Sequence, residues 1–251
     1  AREKRSASPL FADLLREVGN IEGLRRVRYT SPHPKDMRED VMEAMAQTES
    51  VCEHLHFPVQ SGSDRILKNM HRGYTAERYL SKLSQARAII PDLAVTTDII
   101  VGFPGETNKD FEDTLELAAT AQFDSAFTFI FSPRPGTEAA EMQEKFCNKE
   151  EVQDRYSRLR EVIQRSGLIK HQERIGMEEE VIVEGLSKKN NDLITGRTRQ
   201  NKVIHFPAIG LPVGTVARTR VEEATPNYLM GSLLEIVEKP RTKTRIPVVA
   251  G

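Results

Sequence analysis

Four times in this chain an apolar, β-branched segment stops abruptly at serine, proline or glycine, and a helical pattern follows. Residues 27–30 run into Ser31-Pro32-His33-Pro34, and residues 53–59 into Gln60-Ser61-Gly62-Ser63. Residues 95–101 run into Gly102-Phe103-Pro104-Gly105, and residues 126–131 into Ser132-Pro133-Arg134-Pro135-Gly136-Thr137. The helical stretches are 36–46, 63–70 continuing into 76–90, 109–121 and 139–144, with another over 9–18 ahead of them. Strand and helix in alternation imply a parallel sheet, because each crossover helix returns the chain in the same direction. Four strands are too few to close an eight-stranded barrel. A partial α/β barrel is therefore expected, with its chemistry at the C-terminal strand ends.

The stretch TTDIIVGFPGE (residues 96–106) carries this pattern most clearly. Its apolar run is broken only by Asp98, as in a strand buried on both faces. Gly102 and Gly105 force a tight turn and let a ligand approach the backbone. Thr107 with Asp110 makes a capping-box pair, and Phe111, Leu115 and Ala118 begin a helical stripe. Free N–H groups at that helix start would face whatever sits above the strand end. The plain alternative is a well-made turn with no ligand.

Residues 149–176 read as one long charged helix with Val152, Tyr156, Leu159, Val162 and Ile163 as its apolar stripe, placed as a connector. Beyond Gly176 come short alternating segments at 180–184, 193–198, 202–206, 214–221 and 228–237. Separated by Gly, Asn and Pro, they indicate a small all-β barrel of five strands. The expected layout is a core over 1–148, a connecting helix over 149–175, the barrel over 176–239 and a tail over 240–251.

Across 251 residues, 36 Lys+Arg against 37 Asp+Glu leave a net charge of −1, so nucleic acid would need a local basic patch. Two distant cysteines, Cys52 and Cys147, argue against a disulfide scaffold and for a reducing compartment. No apolar run approaches the roughly 20 residues of a membrane span. A cytoplasmic protein without membrane contact is the expectation. The opening AREKRSASPLF has neither an initiator Met nor a signal core, and reads as the middle of a longer protein.

RYTSPHP (28–34), HLHFPVQSGSDRIL (54–67), TTDIIVGFPGET (96–107) and FDSAFTFIFSPRPGT (123–137), in that order, resemble the radical-SAM methylthiotransferases. GRTRQNK (196–202) and ATPNYLMGSLLE (224–235) resemble the TRAM domain of the same family. The resemblance implies a partial radical-SAM (β/α) barrel followed by a small OB-like TRAM barrel. It implies S-adenosylmethionine and two 4Fe–4S clusters as cofactors, and the tRNA anticodon stem-loop as partner. The implied reaction adds a methylthio group to C2 of isopentenyl-adenosine beside the anticodon, in a protein monomeric at full length. A radical cluster needs three thiolates on one loop, and this chain has no such loop. Those ligands, and an auxiliary-cluster domain, are expected upstream of Ala1, leaving the chain inactive alone and the first sheet edge bare. It would then contain no catalytic side chain and no metal ligand. Two rivals stand beside this reading: the sister enzyme acting on a ribosomal-protein aspartate, and a non-catalytic RNA-binding module.

By this resemblance Gln60, Ser61, Gly62, Asp98, Gly102, Phe103, Pro104 and Gly105 contact S-adenosylmethionine. The superfamily's Gly-x-Ile-x-Gly-x-x-Glu pattern is met at Ile100 and Gly102, with Asp98 in the first Gly position and Glu106 one place late. Glu106 thus stays open between ligand contact and first-turn helix acid. Ser61 or Ser63 serves equally well as an N-cap. Asp98 on a lumen face needs a partner, for which Arg65, Arg72 and Arg134 are the candidates. His54 and His56 share one strand face, and His33 lies at another strand end. With no third ligand at matching spacing, they read as hydrogen-bonded core or lumen histidines. For RNA the candidates are Arg134 between its two prolines and a basic cluster of Lys188, Lys189, Arg197, Arg199 and Lys202, with Tyr228 or Phe206 for stacking. Gly102→Val is expected to block S-adenosylmethionine binding and leave the fold intact.

Overall fold

The structure, a computed structural model, describes residues 10–30 and 32–240. Ser31, the start of the chain and all of the expected tail after Pro240 lie outside the described residues. The chain divides into two compact units, Ala1–Lys170 and His171–Gly251.

The first unit holds α1 (Leu10–Gly19), α2 (Glu39–Gln47), β1 (His54–His56), α3 (Asp64–Asn69), α4 (Ala76–Ile89), β2 (Ala94–Val101), α5 (Asn108–Ala121), β3 (Ser125–Ile130) and the short α6 (Glu138–Glu141). Helix α7 (Lys149–Gln172) begins in this unit. The strands pair in parallel in the order β1-β2-β3, with His56 beside Thr96 and Asp98 beside Phe127. The strand expected at 27–30 does not form. Val27 makes a single parallel bridge to Val51, its N–H reaching Ser50 O at 2.7 Å and its carbonyl accepting from Cys52 N–H at 3.0 Å. The next N–H, of His54, turns back onto Cys52 O at 2.8 Å, so the ladder has no donor with which to lengthen.

One face of the sheet is the core. Leu55, Val95, Ile99 and Val101 are fully buried in a cluster with Met42 and Met45 of α2, Leu83 and Ala86 of α4, and Phe111, Leu117 and Ala118 of α5. Helix α7 is more than a connector, because Val152, Leu159 and Ile163 belong to that cluster and Arg158 lies over the Phe111 ring at 5.0 Å. Each such side chain contributes about 1.5–3 kcal/mol by burial.

Helix α5 starts with the capping box read from the sequence: Thr107 Oγ1 accepts from Asp110 N–H at 3.3 Å, and Thr107 N–H donates to Asp110 Oδ2 at 2.8 Å. Asp110 also accepts from Ser63 Oγ at 2.6 Å and Arg65 Nε at 3.2 Å, which ties the β1–α3 loop to α5. Burial pushes this carboxyl up, but the hydrogen bonds from Arg65, Ser63 and Thr107 outweigh it and hold it below the usual carboxylate range. A depressed carboxylate stabilises the fold above its unfolded pKa, and the contribution is lost as pH falls below about 4. Asp110→Asn is therefore expected to cost about 1–3 kcal/mol at pH 7 and to lose less stability than the parent between pH 5 and pH 3. Urea unfolding at a series of pH values checks this, and parallel curves would refute it.

In the second unit β4 (Glu178–Leu186), β5 (Leu193–Thr198), β6 (Val203–Pro207), β7 (Val216–Ala224) and β8 (Leu229–Glu238) close a barrel in the order β4-β5-β6-β8-β7. The β6–β8 pairing is parallel and the others antiparallel. Val181, Val183, Ile194, Ile204, Phe206, Val221 and Leu229 fill it.

Candidate functional site

The period-2 alternation of β2 places Thr96, Asp98 and Ile100 on the face opposite the core, only partly buried. Parallel register sets His56 beside Thr96 on one side, and Phe127 and Phe129 beside Asp98 and Ile100 on the other. Phe127 is 63% and Phe129 50% exposed, and their rings stack with centroids 6.5 Å apart.

A chain of polar contacts crosses this face. His54 Nε2 lies 3.1 Å from Thr96 Oγ1, which lies 2.9 Å from His56 Nδ1, and His56 Nε2 stands 3.4 Å from Asp98 Oδ2. The threonine hydroxyl has one proton to share between two imidazoles. With neutral histidines one assignment satisfies these three contacts: His54 Nε2–H donates to Thr96, Thr96 O–H to His56 Nδ1, and His56 Nε2–H to Asp98. The second oxygen of Asp98 is left for a ligand. Asp98 thus finds its partner in His56 and in none of the three arginines considered, because Arg65 is committed to Asp110 and to Gly105 O. His54 and His56 are hydrogen-bonded histidines of the open face, while His33 sits apart with its ring 5.4 Å from that of Tyr74.

Gln60 makes a single parallel bridge in register with Ile99. Its N–H donates to Asp98 O at 2.8 Å and its carbonyl accepts from Ile100 N–H at 2.9 Å, adding rungs beyond β1. It holds a left-handed φ of 70°, rare for a non-glycine residue and costing about 1–3 kcal/mol, and its side-chain amide has no partner among the described residues. Ser61 and Gly62 are engaged by α5. Ser61 is fully buried with Oγ 3.3 Å from Thr114 Oγ1, Gly62 N–H donates to Thr114 Oγ1 at 2.9 Å, and a Cβ at Gly62 would stand 2.4 Å from Asp113 O. The N-cap of α3 is Ser63.

The glycine turn after β2 is closed by α7. Gly102 has φ +73°, its N–H donates to Glu106 Oε2 at 2.8 Å, and a Cβ there would meet Val152 Cγ2 at 2.7 Å. The expectation that Gly102→Val spares the fold is corrected by that contact. Glu106 is neither a ligand-facing group nor a helix acid: its fully buried carboxylate pairs with Arg155 Nη1 at 2.9 Å. Burial pushes its pKa up, against the Gly102 N–H and the Arg155 charge. Phe103 is 7% exposed and lies edge-on to Phe131 at 5.4 Å, Pro104 is buried, and Gly105 N–H donates to Lys145 O at 2.7 Å. Of the eight candidate residues, Gln60 and Asp98 keep polar groups unengaged, and the other six build the scaffold around them. Arg155 carried no sequence signal, since 49 residues separate it from Glu106. Phe127 and Phe129 were legible as alternate positions of one strand.

Among the RNA candidates, Arg134 is exposed in the turn after β3, and Lys188 and Lys189 are exposed in the β4–β5 turn. Arg197 is half-buried and pairs with Glu184 through Nε at 2.7 Å. Arg199 is half-buried. Two expectations are corrected. Lys202 is only 6% exposed, folded in by the tight turn in which its N–H reaches Thr198 Oγ1, and Phe206 is fully buried in the barrel core. Of the two aromatic candidates, Tyr228 alone reaches the surface.

The family model of the radical SAM superfamily matches residues 4–118, and that of the TRAM domain matches residues 172–234. A radical SAM protein with a TRAM domain is thereby defined. The tRNA-2-methylthio-N(6)-dimethylallyladenosine synthase of Moorella thermoacetica is 47% identical over 225 residues, 90% of this chain and 50% of that protein. The enzyme of the same name from Nocardia farcinica is 49% identical over 227 residues, 88% of this chain and 45% of its own. Among solved structures, the radical SAM enzyme coproporphyrinogen III oxidase of Escherichia coli covers 66% of this chain and 45% of its own at 15% identity and a TM-score of 0.46, a loose likeness. Over about nine-tenths of its length the chain is similar to enzymes of the radical-SAM methylthiotransferase family, and it spans about half the length of the curated relatives it matches.

Enzymes of this family use S-adenosylmethionine and 4Fe–4S clusters. The residues present do not fit a cluster. Three thiolates are required, and the two cysteines are Cys52, buried in the core, and Cys147, whose Sγ is 3.5 Å from Glu106 O and whose pKa burial raises. No group of three metal-binding side chains occurs among the described residues. S-adenosylmethionine fits better, because its ammonium and hydroxyl donors match the free Asp98 oxygen and the Gln60 amide.

Proposed function

We propose that this chain supplies the S-adenosylmethionine-facing sheet and the RNA-binding barrel of an enzyme that places a methylthio group on C2 of an isopentenylated adenosine beside the tRNA anticodon, working in the cytoplasm as a monomer. The observation that carries this reading is identity of 44–49% to tRNA methylthiotransferases over about nine-tenths of the chain, spanning both units. S-adenosylmethionine, when bound and given an electron by a 4Fe–4S cluster, would supply the radical that activates the C2–H bond, and a second molecule of it the methyl group. Asp98, on the open face of β2, and Gln60, in the turn after β1, hold its donor groups, with Asp98 aimed by the His54–Thr96–His56 chain. The Phe127–Phe129 stack offers a flat apolar surface to a purine ring. The helices behind the sheet exclude water from the opposite face, which keeps the loop geometry rigid.

Deleting the gene in the organism that carries it and analysing tRNA nucleosides by mass spectrometry tests the proposal. The expected result is loss of the 2-methylthio nucleoside and accumulation of its N6-dimethylallyl precursor. Loss of methylthio-aspartate from a ribosomal protein with tRNA unchanged would transfer the activity to the sister enzyme. No change in either would reduce the chain to an RNA-binding module.

A further inference from the structure

The outer surface of the barrel formed by β5, β6 and β8 has a site of its own. Strand parity sends Ile204 and Phe206 inward and His205 outward, flanked in register by Thr195 of β5 and Met230 of β8. His205 Nδ1 is held by Thr195 Oγ1 at 2.9 Å, which fixes the ring. The Tyr228 ring stands 5.0 Å away at 67°. Its backbone is pinned by Thr225, whose N–H and Oγ–H both donate to Tyr228 O, at 2.9 and 2.8 Å. Both rings are half-buried, and among the described residues neither His205 Nε2 nor Tyr228 Oη has a partner. Burial and the nearby charge of Lys189 lower the His205 pKa, so the ring is neutral at pH 7 and presents an aromatic face in place of a cation. Exposed Lys188 and Lys189 make no ion pair among the described residues, and with Asp192 they leave their turn net positive. Elsewhere on the barrel Arg218 and Arg220 are neutralised by Glu235 and Glu178.

We propose that this face takes one unpaired RNA nucleobase, stacked on one ring of the edge-to-face His205–Tyr228 pair with its edge reaching the polar tip of the other, while Lys188 and Lys189 hold the flanking phosphates. This rests on the reading of the barrel as an RNA-binding domain and names the contact it makes. Two rigid rings with unsatisfied polar tips suit a base, which has a flat face and a hydrogen-bonding edge. A duplex keeps its bases stacked on one another, so an unpaired nucleotide in a loop is the form that enters.

Fluorescence anisotropy of the full 251-residue chain with a labelled RNA stem-loop, and with a blunt RNA duplex of equal length, tests it across a salt series. The stem-loop is expected to bind more tightly. His205→Ala and Tyr228→Ala should each weaken it roughly tenfold with the salt slope unchanged, the signature of stacking. His205→Phe, which keeps a flat ring, should retain most of the affinity. Lys188→Ala with Lys189→Ala should instead lower the slope by one to two, the signature of lost phosphate contacts. Alanine variants that keep the parental circular dichroism and thermal melt yet bind the stem-loop as tightly as the parent would overturn the assigned face while leaving the barrel an RNA binder. A parent chain that binds neither RNA would overturn the RNA-binding reading itself.

Discussion

Arg155→Met is expected to destabilise the first unit by about 3–5 kcal/mol, the usual cost of removing one partner from a buried ion pair. Arg155 is 2% exposed and its Glu106 partner fully buried. One guanidinium nitrogen reaches Glu106 Oε2 at 2.9 Å and the Glu106 carbonyl at 3.1 Å, and the other reaches Asn108 Oδ1 at 2.9 Å and pairs with Glu151. Without it the Glu106 carboxylate would keep only the Gly102 N–H, and its Oε1 has no hydrogen-bond partner even in the parent. Burial already raises the Glu106 pKa, and losing Arg155 removes a positive charge that opposes the rise. An acid raised in the folded state favours folding most below its unfolded pKa, and loses that contribution as pH rises through its folded pKa. The deficit of Arg155→Met should therefore shrink on acidification from pH 7 towards pH 5. Pairing it with Glu106→Gln should recover part of the loss, since a neutral amide is less costly to bury and can still accept from Gly102 N–H. Guanidinium unfolding followed by helical circular dichroism measures all three proteins. A loss under 1 kcal/mol in Arg155→Met would mean that the pair does not hold the turn.

Gly102→Val is expected to cost about 2–4 kcal/mol, from two separable sources. A β-branched residue is strained at φ +73°, and its Cβ would lie 2.7 and 2.9 Å from the Val152 methyls. Val152→Ala opens that space, so the double variant should regain the overpacking part while the backbone strain remains. The difference appears as a favourable coupling energy in a double-mutant cycle. Full stability in Gly102→Val would restore ligand approach as the reason for the glycine. Impaired S-adenosylmethionine binding in an unfolded variant would say nothing about the pocket, so Asp98→Asn, at a half-exposed position, is the cleaner probe of it.

What the sequence determined by itself was everything governed by neighbours in the chain. The Thr107–Asp110 capping box, the period-2 and period-3.6 patterns, and the punctuation by glycine and proline located ten of the strands and helices to within two residues at each end. Those signals are local, because caps and amphipathic stripes act within one or two turns. The strand at 27–30 failed because a strand exists only through its partner, and a single hydrogen bond at His54 diverted that partner. The glycines at 62 and 102 announced that no side chain fits, but only the tertiary structure showed what occupies the space: backbone of α5 at one, Val152 of α7 at the other. Asp98 was legible as a polar break in an apolar strand, yet its partner His56 comes from the adjacent strand through the register of the sheet. In the barrel, strand alternation sends the neighbours His205 and Phe206 to opposite faces. Which of them faces water was decided by closure of the five strands around one core, a long-range packing choice that no local pattern encodes.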